Sequence, residues 1–530
     1  VKLANAIAVL HEQLVTPARM QRAFEEAVAA RTRWPITDPF DYEDICVGEL
    51  PGPAPEEWTV DVDVIRKPKQ GAGERPERLV DIFTGSLLQV VANVLKEKQH
   101  SSGSSVRPES LQLPSINGDT YEDWAKSLTN WLRSQIINGR TVVKIDFADF
   151  FPNIRRRQMT DAMVAAGLTP TVADALLVIF DHINMAKDSK GQVGEGLPII
   201  PDEIAWIIAD LVLEPFDKSV LTIDAVPSYI RWVDDCYFAC YPEQTLNIID
   251  RMSKLAGAFG FTVNSTKTRI LASLDDLDRE LLQHEHGLLS ELFELTQRSP
   301  REAVTLERFF AQVIDRLSSG KPEHARVIKR LYTLAGLISS NKLVASASSD
   351  LKKFPAAERQ IFEYLWRLKW PGEAHDILVD ALLNSSNESR QIIVLELLLQ
   401  CNDSTLPKVA EDACFSLLSG NESIHDLVSC LAFIVVLTRI PDRRETVTAR
   451  LGAYAPCYQS AMARRLAYEV LSITSKQLPV KTDTSPTVSA IIDHSNYLQR
   501  RPYPRSRAPD DRSTYRWSEL DKLFSSSPNN

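Results

Sequence analysis

Two short stretches of this chain place carboxylates where the surrounding pattern calls for buried strand. IRWVDDCYFAC, residues 230 to 240, sets Asp234 and Asp235 inside an apolar, aromatic run, and TVVKIDFADFFPNI, residues 141 to 154, closes an apolar run on Asp146. A carboxylate buried without a partner costs several kcal/mol or gives up its charge. Asp-Asp alone is a weak sign, because Asp275-Asp276 and Asp510-Asp511 also occur, both among polar residues as solvated acids should be. Two strand-borne sites with three carboxylates are better explained by bound divalent cations. Two Mg²⁺ ions roughly 4 Å apart clamp the attacking and leaving oxygens of a phosphoryl transfer. The alternative is that Asp146 and Asp149 merely flank a strand end and that the Asp-Asp pair is a solvated turn.

A chain of 530 residues holds two to four domains, each with its own core. Hydrophobic content of 44% and charged content of 25% are ordinary for a globular protein. No apolar run is long enough for a membrane span, and VKLANAIAVLHEQLV lacks the features of a signal peptide. Seven scattered cysteines without a CxxC pair fit a reducing cytoplasm better than a disulfide framework or a zinc site. The net charge of −10 confines nucleic-acid contacts to local basic stretches.

Four regions follow from patterning. Residues 1–60 begin helical and drift into PGPAPEEW; residues 61–280 alternate strand, helix and hairpin. Residues 281–477 read as amphipathic helices separated by polar breaks, and residues 478–530 form a Pro- and Arg-rich tail. The breaks Asn387-Glu388-Ser389, Asn402-Asp403-Ser404 and Asn421-Glu422-Ser423 each supply a helix cap. Two helices in roughly 34 residues is the period of a helical-hairpin repeat, HEAT-like in style, with an irregular bundle as the alternative.

The order of motifs resembles the fingers-palm series of a reverse transcriptase, the right-hand polymerase fold. KIDFADFFPNI is similar to motif A, GLPIIPD (residues 196 to 202) to motif B, RWVDD to motif C and Asn264-Ser265-Thr266-Lys267-Thr268 to motif D. The DFADFFP and GLP-x-x-P forms resemble bacterial reverse transcriptases of the abortive-infection (Abi) and defence-associated (DRT) type. In that group a helical-repeat domain follows the palm. The fold class expected is therefore α+β multidomain: fingers and palm, then an all-α HEAT-like domain.

The resemblance implies a DNA polymerase of antiphage defence in a bacterial cytoplasm, using Mg²⁺ or Mn²⁺ and dNTPs. Asp146, Asp234 and Asp235 would be the metal ligands, and Lys267 would protonate or neutralise the pyrophosphate, unless it is an ordinary exposed lysine. Phe151 would be the steric gate against a ribose hydroxyl. Asp149 and Pro198 would lie near the nucleotide. IRKPKQGAGERPERL, residues 65 to 79, suits a fingers hairpin, with Arg78 and Arg75 as first candidates for the triphosphate and Lys69 next. A solvated basic loop is the rival reading there.

Two departures bear on templating: Trp232 replaces the usual Tyr or Phe, and Ile199-Ile200 replaces the Gln-Gly of many templated enzymes. Some relatives build single-stranded DNA without a template on their own tyrosine. The candidates for such priming are Tyr497, Tyr503 and Tyr515 in the tail, and Tyr42. The other readings are an RNA-templated enzyme using a noncoding RNA, and an inert scaffold acting through its repeats. The resemblance further implies a homo-oligomer, trimer or hexamer, and no membrane association.

Overall fold

The computed structural model describes residues 3–31, 60–68, 74–101, 121–281 (without 189 and 201), a few positions between 289 and 311, 325–399 (without 386), 407–420, 426–439, 444–458 and scattered positions from 460 to 471. Over the described residues the protein is a mostly helical α+β molecule with two small antiparallel sheets. It divides into two compact units. The first comprises Val1–Ala27, Thr84–Lys187 and Gln192–His284; the second comprises Val28–Phe83, Asp188–Gly191 and Glu285–Asn530. The helix Leu3–Leu14 falls within the first unit, and the hairpin over residues 62–80 falls within the second. Among the described residues no helix is long and apolar enough to cross a membrane.

The first unit is built on a four-stranded sheet. With β1 (Val62–Pro68) and β2 (Glu74–Val80) in the other unit, its strands are β3 (Thr141–Ile145), β4 (Ser228–Trp232), β5 (Asp235–Cys240) and β6 (Arg269–Leu271), in the order β4-β5-β3-β6 and antiparallel throughout. β3 is rich in β-branched residues, which suit a pleated, packed surface. Its register pairs Thr141 with Cys240 and Ile145 with Cys236, while Lys144 pairs with Arg269 of β6.

Alternation then divides the side chains between two buried faces. On one, Val142, Tyr237, Ala239, Ile230 and Leu271 pack with Leu128 and Leu132 of the helix Tyr121–Ile137 and with Leu277 of the helix Leu274–Leu281. The other face holds Val143, Ile145, Cys236, Phe238 and Tyr229, all buried. The helix Glu203–Leu221 packs on β4, and Thr245–Ala258 on β3. Each such aliphatic or aromatic side chain contributes roughly 1.5–3 kcal/mol when fully buried, so the sheet is a rigid base for what lies at its strand ends.

The second unit holds the hairpin β1–β2 and a stack of helices. Ala325–Leu337, Glu358–Arg367, Glu388–Leu399 and Asp426–Arg439 pack in succession, every other helix along the chain. Between them come Ala347–Lys353, His375–Val379 and Lys408–Gly420. The break before Glu388 caps its helix: Asn387 Oδ1 accepts from the Arg390 amide at 3.2 Å. The corresponding breaks at Asn402 and Asn421 lie outside the described residues. Strand β1 rests on the helix Glu388–Leu399.

One close approach ties the GLPIIPD loop to the first unit's core. Gly196 has φ +66°, and a Cβ built there would stand 2.3 Å from the Pro152 carbonyl oxygen and 2.6 Å from that of Phe151. The loop is clasped from both sides: the Leu197 amide donates to the Phe151 carbonyl at 3.0 Å, and Asn184 Nδ2 donates to the Gly196 carbonyl at 2.8 Å. Only glycine fits, because both the dihedral and the space exclude a side chain. Replacing Gly196 by Ala is expected to lower the unfolding free energy by about 2–4 kcal/mol, read from urea denaturation. A loss below about 0.5 kcal/mol would mean that the loop does not sit against Phe151 and Pro152 in solution.

Candidate catalytic site

Aromatic anchoring fixes the segment that carries Asp146. Phe147 stacks on Phe261 with centroids 5.4 Å apart and meets Phe216 edge-on at 5.6 Å. Phe150 packs on Phe261, and Phe151 meets Trp206 edge-on at 5.2 Å. With the rings of DFADFF turned into the core, Asp146 is held at the end of β3 and is only 6% exposed. Asp149 takes a left-handed conformation, φ 44° and ψ 48°, at the start of the short helix Phe150–Asn153. Its carbonyl accepts from the Asn153 amide at 3.1 Å, so it shapes the turn.

The same segment docks to the loop 261–268. Phe147 bridges to Val263, the Ala148 amide donates to the Thr262 carbonyl at 2.8 Å, and the Asn264 amide donates to the Asp146 carbonyl at 2.8 Å. Asn264 then organises the turn: its carbonyl accepts from the Lys267 and Thr268 amides, and its side chain accepts from the Thr266 hydroxyl at 2.7 Å. This delivers Lys267 Nζ to Asp146 Oδ2 at 3.0 Å, while the lysine stays 60% exposed. The other oxygen, Asp146 Oδ1, is buried and has no hydrogen-bond partner.

Asp234 lies in the two-residue turn between β4 and β5, where Trp232 pairs with Asp235. The preceding Val233 has φ +51°, a left-handed conformation that a β-branched residue adopts only under strain. Burial pushes the Asp234 carboxyl up to about 6, and the charges of Asp235 and Asp146 push in the same direction, against a smaller pull from Lys267. Asp235 opens β5 with its carboxylate 3.8 Å from Lys144 Nζ, which also donates to Glu280 at 3.2 Å.

These acids form an electrostatically coupled group, but no three His, Cys, Asp or Glu side chains among the described residues stand close enough to hold one ion as they are. The fit to a divalent cation rests on two carboxylates. Asp146 offers a buried oxygen with no donor, and Asp234 bears the repulsion of its acidic neighbours, which a cation would relieve.

Of the other sequence candidates, Phe151 is 8% exposed, and Pro198 is buried in the clasped loop. Arg75 and Arg78 belong to the second unit, where Arg75 is exposed and Arg78 is buried at 3% exposure. Burial lowers the Arg78 guanidinium from its ordinary value, against the charge of Asp188. An exposed basic loop is therefore not where Arg78 stands. Lys69, Tyr42, Tyr497, Tyr503 and Tyr515 lie outside the described residues.

Sequence reasoning missed Arg231. It is buried beneath the Asp234 turn and paired with Asp217 and Asp210. The available signal was a pair of acids seven residues apart, Asp210 and Asp217, hence on one face of the largely apolar helix Glu203–Leu221.

No family model matches the chain, and no curated protein matches it. Among solved structures it is similar to telomerase from Candida albicans in complex with a fragment of telomeric RNA, at 11% identity and TM-score 0.30, over 71% of this chain and 64% of that one. It is similar to apo telomerase from Candida tropicalis at 11% identity and TM-score 0.30, over 74% and 67%. A form of that protein truncated from its C-terminal domain matches at 14% identity and TM-score 0.29, over 40% and 49%. The chain thus spans about half to two-thirds of the length of the solved structures it matches. The likeness is remote.

The raised Asp234 carboxyl makes stability depend on pH. Its folded-state value lies above the ordinary aspartate value, so its contribution is fully present below about pH 4 and is lost as pH rises through about 6. In EDTA, wild type and Asp234→Asn are expected to unfold with equal free energy near pH 4. By pH 7.5 the wild type should be the less stable by about 1–2 kcal/mol, the half-buried carboxyl keeping some water. Urea denaturation at a series of pH values measures this; a difference independent of pH contradicts the charge cluster.

Proposed function

We propose that the first unit is a divalent-cation-dependent nucleotidyltransferase of reverse-transcriptase type, adding dNMP units to a growing DNA strand in bacterial antiphage defence. The observation that carries this reading is the meeting at one sheet end of a buried, half-unpartnered Asp146, an Asp234 whose carboxyl is raised by burial and acidic neighbours, and an exposed counter-charge, Lys267. A chain kept only as a scaffold has no physical reason to retain such mutual repulsion, which neutral side chains would remove.

Asp146 and Asp234 would hold Mg²⁺ or Mn²⁺, with Asp235 as the looser third ligand after release from Lys144. The ions would stabilise the charge on the attacking and departing oxygens of the transfer. Lys267, displaced from Asp146 and still tethered by the Asn264 turn, would neutralise or protonate the departing pyrophosphate. Phe151, its ring seated on Trp206, would exclude a ribose hydroxyl, so the substrates would be dNTPs. The left-handed Asp149 would turn backbone amides toward the triphosphate, with Pro198 beside the nucleotide.

The apolar Ile199-Ile200 pair in the clasped loop favours synthesis without a template, since it offers no hydrogen bond to a template base. Priming by a tyrosine of the chain itself accompanies that reading. Use of a noncoding RNA as template is the second reading.

Purified protein incubated with single labelled dNTPs, with and without RNA, tests these. Divalent-dependent incorporation is expected, falling by about 10³-fold or more in Asp146→Ala and Asp234→Ala. Label bound covalently to protein without RNA supports protein priming, and label only with RNA supports templated synthesis. No incorporation in any condition, with function unimpaired in Asp234→Ala, overturns the proposal.

Two further variants probe individual roles. Phe151→Ala should raise rNTP use relative to dNTP use on the order of tenfold or more. Lys267→Ala should lower kcat by about 10²-fold. Equal sugar selectivity in the first, or an unchanged kcat in the second, would remove that residue from the scheme.

A further inference from the structure

Beneath the Asp234 turn lies a group of buried charges that nothing in the chemistry above employs. Arg231, on β4, is 3% exposed, and every nitrogen of its guanidinium is engaged. Nε donates to Asp217 Oδ1 at 2.9 Å, and Nη2 donates to Asp217 Oδ2 at 2.6 Å and to Asp210 Oδ1 at 2.8 Å. Nη1 donates to the carbonyl oxygen of Val233 at 3.1 Å. Tyr229, two residues back on the same strand face, donates its hydroxyl to Asp217 Oδ1 at 2.9 Å. Burial alone would lower the Arg231 guanidinium, and the charges of Asp210 and Asp217 more than reverse this, holding it well above the ordinary arginine value.

A surface salt bridge of this kind would carry little weight. This one is different in where its fourth arm goes. The carbonyl it holds belongs to Val233, the strained residue at φ +51° immediately before Asp234. A β-branched residue leaves that conformation unless its surroundings hold it there. The bidentate fork to Asp217 fixes the guanidinium plane, and Asp210 and Asp217 stand on one face of the helix Glu203–Leu221. The plane therefore transmits the position of the helix to the turn.

We propose that Arg231 is a positioning residue. It locks the Val233 carbonyl so that the turn presents Asp234 beside Asp146, with Asp217 and Asp210 as the brace. The proposal rests on the nucleotidyltransferase reading for its catalytic consequence, but not for its effect on cation binding. Lysine at this position keeps the charge but has no planar fork, so it cannot grip Asp217 in two places and still reach the Val233 carbonyl.

The test uses the full chain as Arg231→Lys, Arg231→Met and Asp210→Asn, with folding checked by thermal melts. Mn²⁺ affinity is read by electron paramagnetic resonance, which needs no activity, and kcat and dNTP KM are read wherever incorporation occurs. In Arg231→Lys, Mn²⁺ affinity should fall at least fivefold and kcat at least tenfold, with the dNTP KM within twofold of wild type. Amide exchange at Val233 to Asp235 should accelerate while that of β3 is unchanged.

Asp210→Asn, which removes one brace and spares the fork, should show the same pattern at about two- to fivefold. That smaller change keeps the proposal testable if the Arg231 variants do not fold. Folded variants with wild-type Mn²⁺ affinity and unchanged exchange at the turn overturn it, whatever their activity. Wild-type protein that binds Mn²⁺ and loses affinity in Arg231→Lys, yet incorporates no nucleotide, would support the positioning role while removing the nucleotidyltransferase reading.

Discussion

Repulsion among carboxylates gathered at one sheet end, Asp146 buried and Asp234 and Asp235 half-buried, is the constraint around which the first unit is arranged. Asp146 and Asp234 stand at the ends of adjacent elements of one sheet, and the charge on each opposes the charge on the other. Left to themselves, such groups would turn outward or take up a proton. The fold prevents the first. Phe147, Phe150 and Phe151 pin the backbone that follows Asp146, and the pairing of β3 with β5 brings the strand ends together. It partly concedes the second, since Asp234 holds its proton up to about pH 6. The local strain at Val233 belongs to the same arrangement, because it shapes the turn that carries Asp234.

Much of this was legible in the sequence because burial and charge conflict there openly. An apolar run such as TVVKI that ends on Asp146 announces a strand with an acid at its tip, and the same holds for the aromatic run around Asp234 and Asp235. Asn387 was readable from its capping chemistry, whereas the Asn264 stretch was marked only by its resemblance to a motif and not as a turn. The Arg231 brace was harder. Periodicity marks Asp210 and Asp217 as sharing a helix face, but it does not say which strand residue meets that face.

Charge alone does not separate the two arginines of the basic hairpin. In β2 the guanidinium of Arg78 goes under cover while Arg75 stays exposed, and a sequence rich in Lys and Arg looks the same in both cases. The grouping of that hairpin with the helices was equally hidden, since β1 carries apolar residues that suit a sheet or a helix layer as partner.

Two kinds of cation surround the acids, and the difference between them separates structure from chemistry. Arg231 is buried, held at four points and paired with acids of its own, so its charge is already neutralised and cannot be lent to Asp146 or Asp234. Its contribution is geometric. Lys267 is mostly exposed and touches one oxygen of Asp146 through one nitrogen, at the end of a flexible stem. Such a contact is weak and screened by solvent, so under the proposed reading a divalent ion, with twice the charge and room for several oxygens, would displace it. Reversing the two residues would defeat the site. A fixed arginine at Asp146 would bar the cation permanently, and a mobile lysine under the turn would let Val233 relax and carry Asp234 away. The permanent cation is therefore placed where position matters, and the exchangeable one where charge must change hands.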